Sequence, residues 1–208
     1  NFDFFADKTD ILLKNIFSEG GPFKIFDGDL KLKMSEEVSL ESNFKTNLKY
    51  TKQSKKYMDF IKDFKYAKDI VSLEADLYNN LKIDFDKTYK VRKYNYKNNG
   101  NISKLILEFK NPLNNFFLNE KINQLSLINS EVETTFNFKK NIVNISGKYS
   151  INEDNPLSFS LKNTNDKKTS NIEFNADFKK SLELEVINYK KSKNFFDNIF
   201  INLNKKKN

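Results

Sequence analysis

The sequence predicts a mostly β protein, an antiparallel meander of amphipathic strands curled into a groove or an open sandwich, with one or two short helices. Three observations carry this. Apolar and polar residues alternate with a period of two over most of the chain. Hydrophobic residues make up 38% and aromatics 14%, enough for a core. Consecutive strand segments can also be paired so that their apolar residues fall on one face. All 208 residues read as a single β-rich segment of a longer protein, with a helix at about 9–18, a helix at about 54–68 and a strand meander at about 70–203.

The first helix is predicted from "TDILLKNIFSEGG", with Thr9 as N-cap and Gly20 or Gly21 as the stop. The next stretch, "FKIFDGDLKLKM", alternates but breaks phase at Asp27-Gly28. Phe23 and Ile25 fall on odd positions, while Leu30, Leu32 and Met34 fall on even ones. Two devices restore a common face. One is a tight hairpin that sets Ile25 against Leu30 and Phe23 against Leu32; the other is a bulge, with Gly28 left-handed, inside one continuing strand. The hairpin is preferred here. Val38, Leu40, Phe44 and Leu48 continue the alternation, and "SKKYMDFIKDFKYAKDI" follows as a helix that packs Tyr57, Ile61 and Phe64 on the sheet.

"LEADLYNNLKIDF" is read as a hairpin folding about Tyr78-Asn80, with Leu77 meeting Leu81, Ala75 meeting Ile83 and Leu73 meeting Phe85. The Asn99-Gly100 pair is a hairpin signal that places Tyr94 across from Leu105, with Leu107 farther along. From Val132 on, pairing follows from arithmetic, because antiparallel partners keep a constant sum. A turn at Lys140-Asn141 sets Phe138 opposite Val143 and Phe136 opposite Ile145. A loop at "EDN" sets Tyr149 opposite Phe159, and "NTNDKKTSN" sets Leu161 opposite Ile172 and Phe159 opposite Phe174. A three-residue turn in "FKKSL" then pairs Ala176 with Leu184 and Phe174 with Val186.

Chemistry is narrowly bounded. Histidine and cysteine are absent, which excludes Ser-His-Asp and Cys-His catalysis, thiolate metal sites and a disulfide framework. Asp84 and Asp86 in "KIDFDK" alternate with Ile83 and Phe85, the pattern of a solvated strand face. "FDGD" lacks the further oxygen ligands of a calcium loop, since Leu30, Lys31 and Leu32 stand in their places. No catalytic residue, metal site or cofactor is expected. The formal charge of +8 invites anionic partners, but Arg92 is the only arginine and the lysines alternate with apolar residues as on a wet strand face. Nucleic acid is therefore not an expected partner.

Three features together resemble a known family. "TDILLKNIFSEGGP" leads into "FKIFDGDLKLKM", a strand entering a Gly-Asp step and continuing in alternation; a long succession of amphipathic strands follows; and "LELEVINYKK" comes after "IEFNADFKK". This pattern resembles the AsmA-like proteins of Gram-negative envelopes, in particular the large YhdP-type members, and the chain's composition suits an AT-rich bacterium. The resemblance implies a non-enzymatic segment of a periplasmic repeating β-groove, anchored to the inner membrane through a segment outside these 208 residues. Its apolar face would guide phospholipid acyl chains between the inner and outer membranes, with adjoining repeats of the same chain, and envelope proteins, as partners.

The expected lining is Ile25, Leu30, Leu32, Leu73, Leu77, Ile83, Phe85, Leu105 and Leu107 in the first half. In the second half it is Phe136, Phe138, Val143, Ile145, Tyr149, Phe159, Leu161, Phe174, Leu184 and Val186. The alternative is a closed β-sandwich, a binding or adhesion module in which the same residues form a lipid-free core.

Overall fold

The computed structural model describes residues 1–35, 37–57, 67–113, 120–184, 188–193 and 195–206. Its strands are β1 (Asp3–Ala6), β2 (Asp10–Gly20), β3 (Phe23–Met34), β4 (Val38–Thr51), β5 (Ile70–Phe85), β6 (Val91–Leu113) and β7 (Ile122–Asn137). They continue as β8 (Lys140–Ile151), β9 (Leu157–Asp166), β10 (Thr169–Phe178), β11 (Leu182–Leu184), β12 (Tyr189–Lys191) and β13 (Asp197–Lys206). Strands β1 to β10 pair each with the next, antiparallel, and β13 pairs with β10 to complete an open sheet of 11 strands. Strands β11 and β12 form a separate two-stranded ribbon.

Short polar side chains set the turns. Asp7 Oδ1 accepts from the amides of Thr9 and Asp10, Asp86 Oδ1 from Thr88 and Lys90, Asn137 Oδ1 from Lys139 and Lys140, and Asp166 Oδ1 from Lys168 and Thr169. Each is an aspartate or asparagine folding the following backbone back on itself. The Thr9 and Asp10 amides lower the Asp7 pKa, and the Thr88 hydroxyl, ahead of the Lys90 and Thr88 amides, lowers that of Asp86.

Several expectations are corrected. Residues 9–18 are not helical; most of them belong to β2. That strand carries a bulge at Asn15, whose φ is 53°. The bulge moves the apolar positions to Leu12, Leu13, Ile16 and Phe17, a spacing that imitates a helical stripe. The Asp27-Gly28 hairpin is absent as well. Strand β3 runs straight through, with a register shift between Phe26 and Asp29, and the left-handed residue is Asp27 at φ 50°, not Gly28. The bulge achieves what the hairpin would have done, since Ile25 and Leu30 still share a face.

Neither Tyr78-Asn80 nor Asn99-Gly100 is a turn. Strand β5 passes through the first and β6 through the second, and Leu77 pairs with Gly100. A Cβ on residue 100 would lie 2.9 Å from the Leu77 Cα, so this glycine serves close strand approach. The predicted neighbours β7–β8, β8–β9 and β9–β10 do pair, in shifted register. Phe136 faces Asn141, Tyr149 faces Leu157 and Phe174 faces Leu161. The pairing of Ala176 with Leu184 does not form, since Leu184 pairs with Tyr189, and Val186, expected opposite Phe174, lies outside the described residues. On that side Phe174 and Ala176 pair with Ile201 and Ile199.

Of the second helix, Lys52–Tyr57 and Ala67–Asp69 are short 3-10 segments. The remainder, with Ile61 and Phe64, lies outside the described residues.

Candidate functional site

Residues paired across an antiparallel ladder project to the same side of a sheet. Following the pairs therefore assigns every position to a face. One row joins Leu13, Leu30, Leu81, Tyr96 and Phe136; another joins Leu32, Leu40, Ile83 and Tyr94. A third runs Tyr50, Leu73, Leu105, Leu127, Tyr149, Leu157, and a fourth Leu77, Val132, Ile145, Leu161, Phe174, Ile201. All four rows lie on one face, which spans the sheet.

Ile25, Phe85, Leu107, Val143 and Phe159 belong to that face by the same pairings. Phe138, one residue past β7, sets its ring edge-on to Tyr94 at 5.9 Å. The sequence-derived lining thus falls on one face wherever the main sheet carries it. Leu184 sits in the small ribbon instead, and Val186 lies outside the described residues.

Among the described residues the face is covered only at one end. Leu48, Tyr50 and Ala75 are buried there, with Phe23, Ile70, Leu73, Leu77 and Ile102 packed around them beside the 3-10 segments; Ile151, Ala176 and Phe178 are buried too. Elsewhere the apolar side chains of the four rows are half-buried against their neighbours, except Tyr94 and Ile201, which are exposed. Close packing among the described elements joins neighbours in the sheet, the ribbon strands and the 3-10 segments at the ends of β4 to β6, with no second layer over the face. The accessible surface is 14550 Å², against roughly 10,000 Å² for a compact monomer of this mass. An uncovered sheet accounts for an excess of that size.

A polar inset interrupts the apolar surface. Asn79, 3% exposed, donates from Nδ2 to Thr46 Oγ1 at 3.0 Å and to the Phe44 carbonyl at 3.2 Å. Its Oδ1 accepts from the Tyr96 hydroxyl at 2.7 Å and from Asn98 Nδ2 at 2.8 Å. The amide is thereby satisfied within the sheet. Burial raises the Tyr96 pKa. Tyr149 reaches across the same face to donate to the Asp177 carbonyl at 2.6 Å, and burial first, then the Asp177 charge, push its hydroxyl up to about 12. Sequence reading missed Asn79 because it was assigned to a turn.

The opposite face is polar and tied by ion pairs. Lys82 meets Glu41 at 2.9 Å, an exposed contact that lowers the Glu41 pKa and raises that of Lys82. A hollow of about 1000 Å³ opens over this polar face between Asp76, Asn101, Glu131, Ser146, Lys162 and Glu173. No group of three or more His, Cys, Asp or Glu residues there or elsewhere among the described residues is placed to hold a metal ion.

At the covered end Lys180, nearly buried, forms ion pairs with Glu120 and Asp154 and so pins the start of the β10–β11 connection to the β8–β9 turn. Burial opposes its charge, but the hydrogen bonds to Asp154 and Glu120 outweigh it and raise the pKa. This cluster was not anticipated, because its members stand far apart in sequence.

These features define an open, one-sided amphipathic antiparallel sheet. No family model, curated protein or solved structure matches the chain.

Proposed function

We propose that this chain is a non-enzymatic, AsmA-like segment of an envelope lipid-transport protein, its apolar sheet face accommodating phospholipid acyl chains. The observation that carries the reading is the apolar face itself, spanning the sheet and, among the described residues, uncovered over most of its extent. An apolar surface of this size calls for an apolar cover. Hydrocarbon suits it, since each methylene taken from water contributes about 0.8 kcal/mol and an acyl chain needs no directional partner. The Asn79 amide is satisfied within the sheet, whereas Asn163 Oδ1, on the same face opposite Val143 and Ile172, is buried without a hydrogen-bond partner. In this reading the segment works in the periplasm, continued by adjoining repeats and held to the inner membrane by a part of the protein outside these residues.

The test is native mass spectrometry of the chain purified from bacteria. Co-purifying phospholipid is expected, and folded, lipid-free protein overturns the proposal. Phe159→Glu should lower bound lipid while circular dichroism stays unchanged, because Phe159 is only half-buried. Loss of the fold in that variant would point instead to a closed, sandwich-like core.

A further inference from the structure

Strand β13 has β10 on one side and no strand on the other among the described residues. It is long for an edge, ten residues, and lacks the usual protections: there is no proline, and from Asn198 to Asn204 no charge. Ile201 is 41% exposed and Leu203 58%. Charges stand only at its ends, Asp197 at the first residue and Lys205 and Lys206 at the last two.

That arrangement is self-complementary. An antiparallel pair of identical strands keeps the apolar face continuous only if paired positions share parity, so their sum must be even. Asp197, Ile199, Ile201, Leu203 and Lys205 lie on the apolar face, opposite Phe178, Ala176, Phe174, Ile172 and Ser170. A sum of 402 sets Ile201 against its own copy, Ile199 against Leu203 and Asp197 against Lys205, so two ion pairs form by symmetry. Moving the register to 400 puts Asp197 against Leu203, and moving it to 404 puts Ile199 against Lys205. Only the central register matches charge with charge and apolar with apolar.

We propose that β13 is a dimerisation edge at which two copies of this chain pair antiparallel about Ile201, joining their sheets and their apolar faces into one. The occupant is a second copy because the strand's charge pattern complements its own reverse. The other free edge, β1, has four residues, all exposed, and offers a much shorter ladder. This inference rests on the edge and not on lipid binding by the face, and it sets a second copy where the lipid reading would set an adjoining repeat, so the two are tested separately.

The chain contains no cysteine, so single cysteines report the register without background. Sedimentation velocity over a range of concentrations should show a monomer–dimer equilibrium; a monomer throughout overturns the proposal. Under mild oxidation, or with a short bismaleimide, Ile201→Cys should cross-link to a dimer in high yield. Ile199→Cys alone should not, and Ile199→Cys mixed with Leu203→Cys should. Equal cross-linking of both single variants, or none of either, overturns the register. Lys205→Asp should weaken dimerisation at least several-fold, and adding Asp197→Lys should restore it. Failure of that rescue also counts against the pairing.

Discussion

Gly147 on β8 stands directly over Ser130 on β7, and a Cβ at residue 147 would lie 2.6 Å from the Ser130 Cα. Ser130 has the most enclosed side chain among the described residues, with 0% exposure. The contact sits where β7 bulges at Asn129, at φ 46°, and the β7–β8 register shifts between Ile128 and Glu131. The bulge draws the two backbones together, and only a residue without a side chain fits between them. Gly147→Ala should therefore cost about 1–3 kcal/mol through overpacking. Urea titration should show a lower midpoint with an unchanged slope, and an unshifted midpoint would mean that β8 moves aside freely.

At the β3 bulge the left-handed conformation belongs to Asp27, whose carboxylate also meets Lys45 Nζ at 2.9 Å. Both Asp27→Gly and Asp27→Val remove that exposed pair, so comparing them isolates the backbone. The valine variant should be less stable than the glycine variant by about 1–2 kcal/mol, the cost of a branched side chain in this region. Equal stability of the two would show that the strand can shed its bulge.

Asn79 holds two donors on its Oδ1, from Tyr96 and Asn98. Asn79→Leu matches the apolar face but leaves both donors without their acceptor, and should destabilise by about 1–3 kcal/mol. A double-mutant cycle with Tyr96→Phe should give a coupling energy of about 0.5 kcal/mol or more. Additive losses would contradict the network.

The Tyr149 hydroxyl titrates at about 12 in the folded chain, against its ordinary value of about 10. The folded state thus keeps a proton that the unfolded chain releases. Stability is fully retained below about pH 10 and falls as pH rises toward 12. Tyr149→Phe should remove the hydrogen bond to Asp177, costing about 0.5–1.5 kcal/mol at neutral pH, and should flatten that alkaline decline. Chemical denaturation between pH 9 and roughly 11.5 measures both effects. An identical slope in the variant would place the alkaline loss elsewhere.

The apolar face is legible in the sequence. Period-two alternation identified its members from Ile25 to Phe174 because face membership depends only on parity along a strand, and parity survives a register slip of two or four residues. So Phe136, Ile145 and Phe159 were assigned together although each was given the wrong partner. What maximal apolar pairing could not supply was where turns begin. Asn137 and Asp166 decide that by capturing the next amides, which ends β7 and β9 and fixes their registers.

Bulges were the other source of error. At Asn15 an extra residue turned a strand pattern into an apparent helix, and at Asp27 it looked like a turn. Asn99-Gly100 carried the dipeptide of a hairpin, yet Gly100 is needed where β6 crowds the β5 backbone, a contact made by residues more than twenty positions away.

The sequence by itself determined that this is a one-faced antiparallel β chain and which residues share the apolar side, because both follow from local alternation. The tertiary structure alone decided that β10 pairs with β13, that Lys180 joins Glu120 to Asp154, and that no described element forms a second layer over the face. Those outcomes depend on which distant segments meet, and alternation is identical whether the apolar side meets a second sheet, a lipid or another copy of the chain.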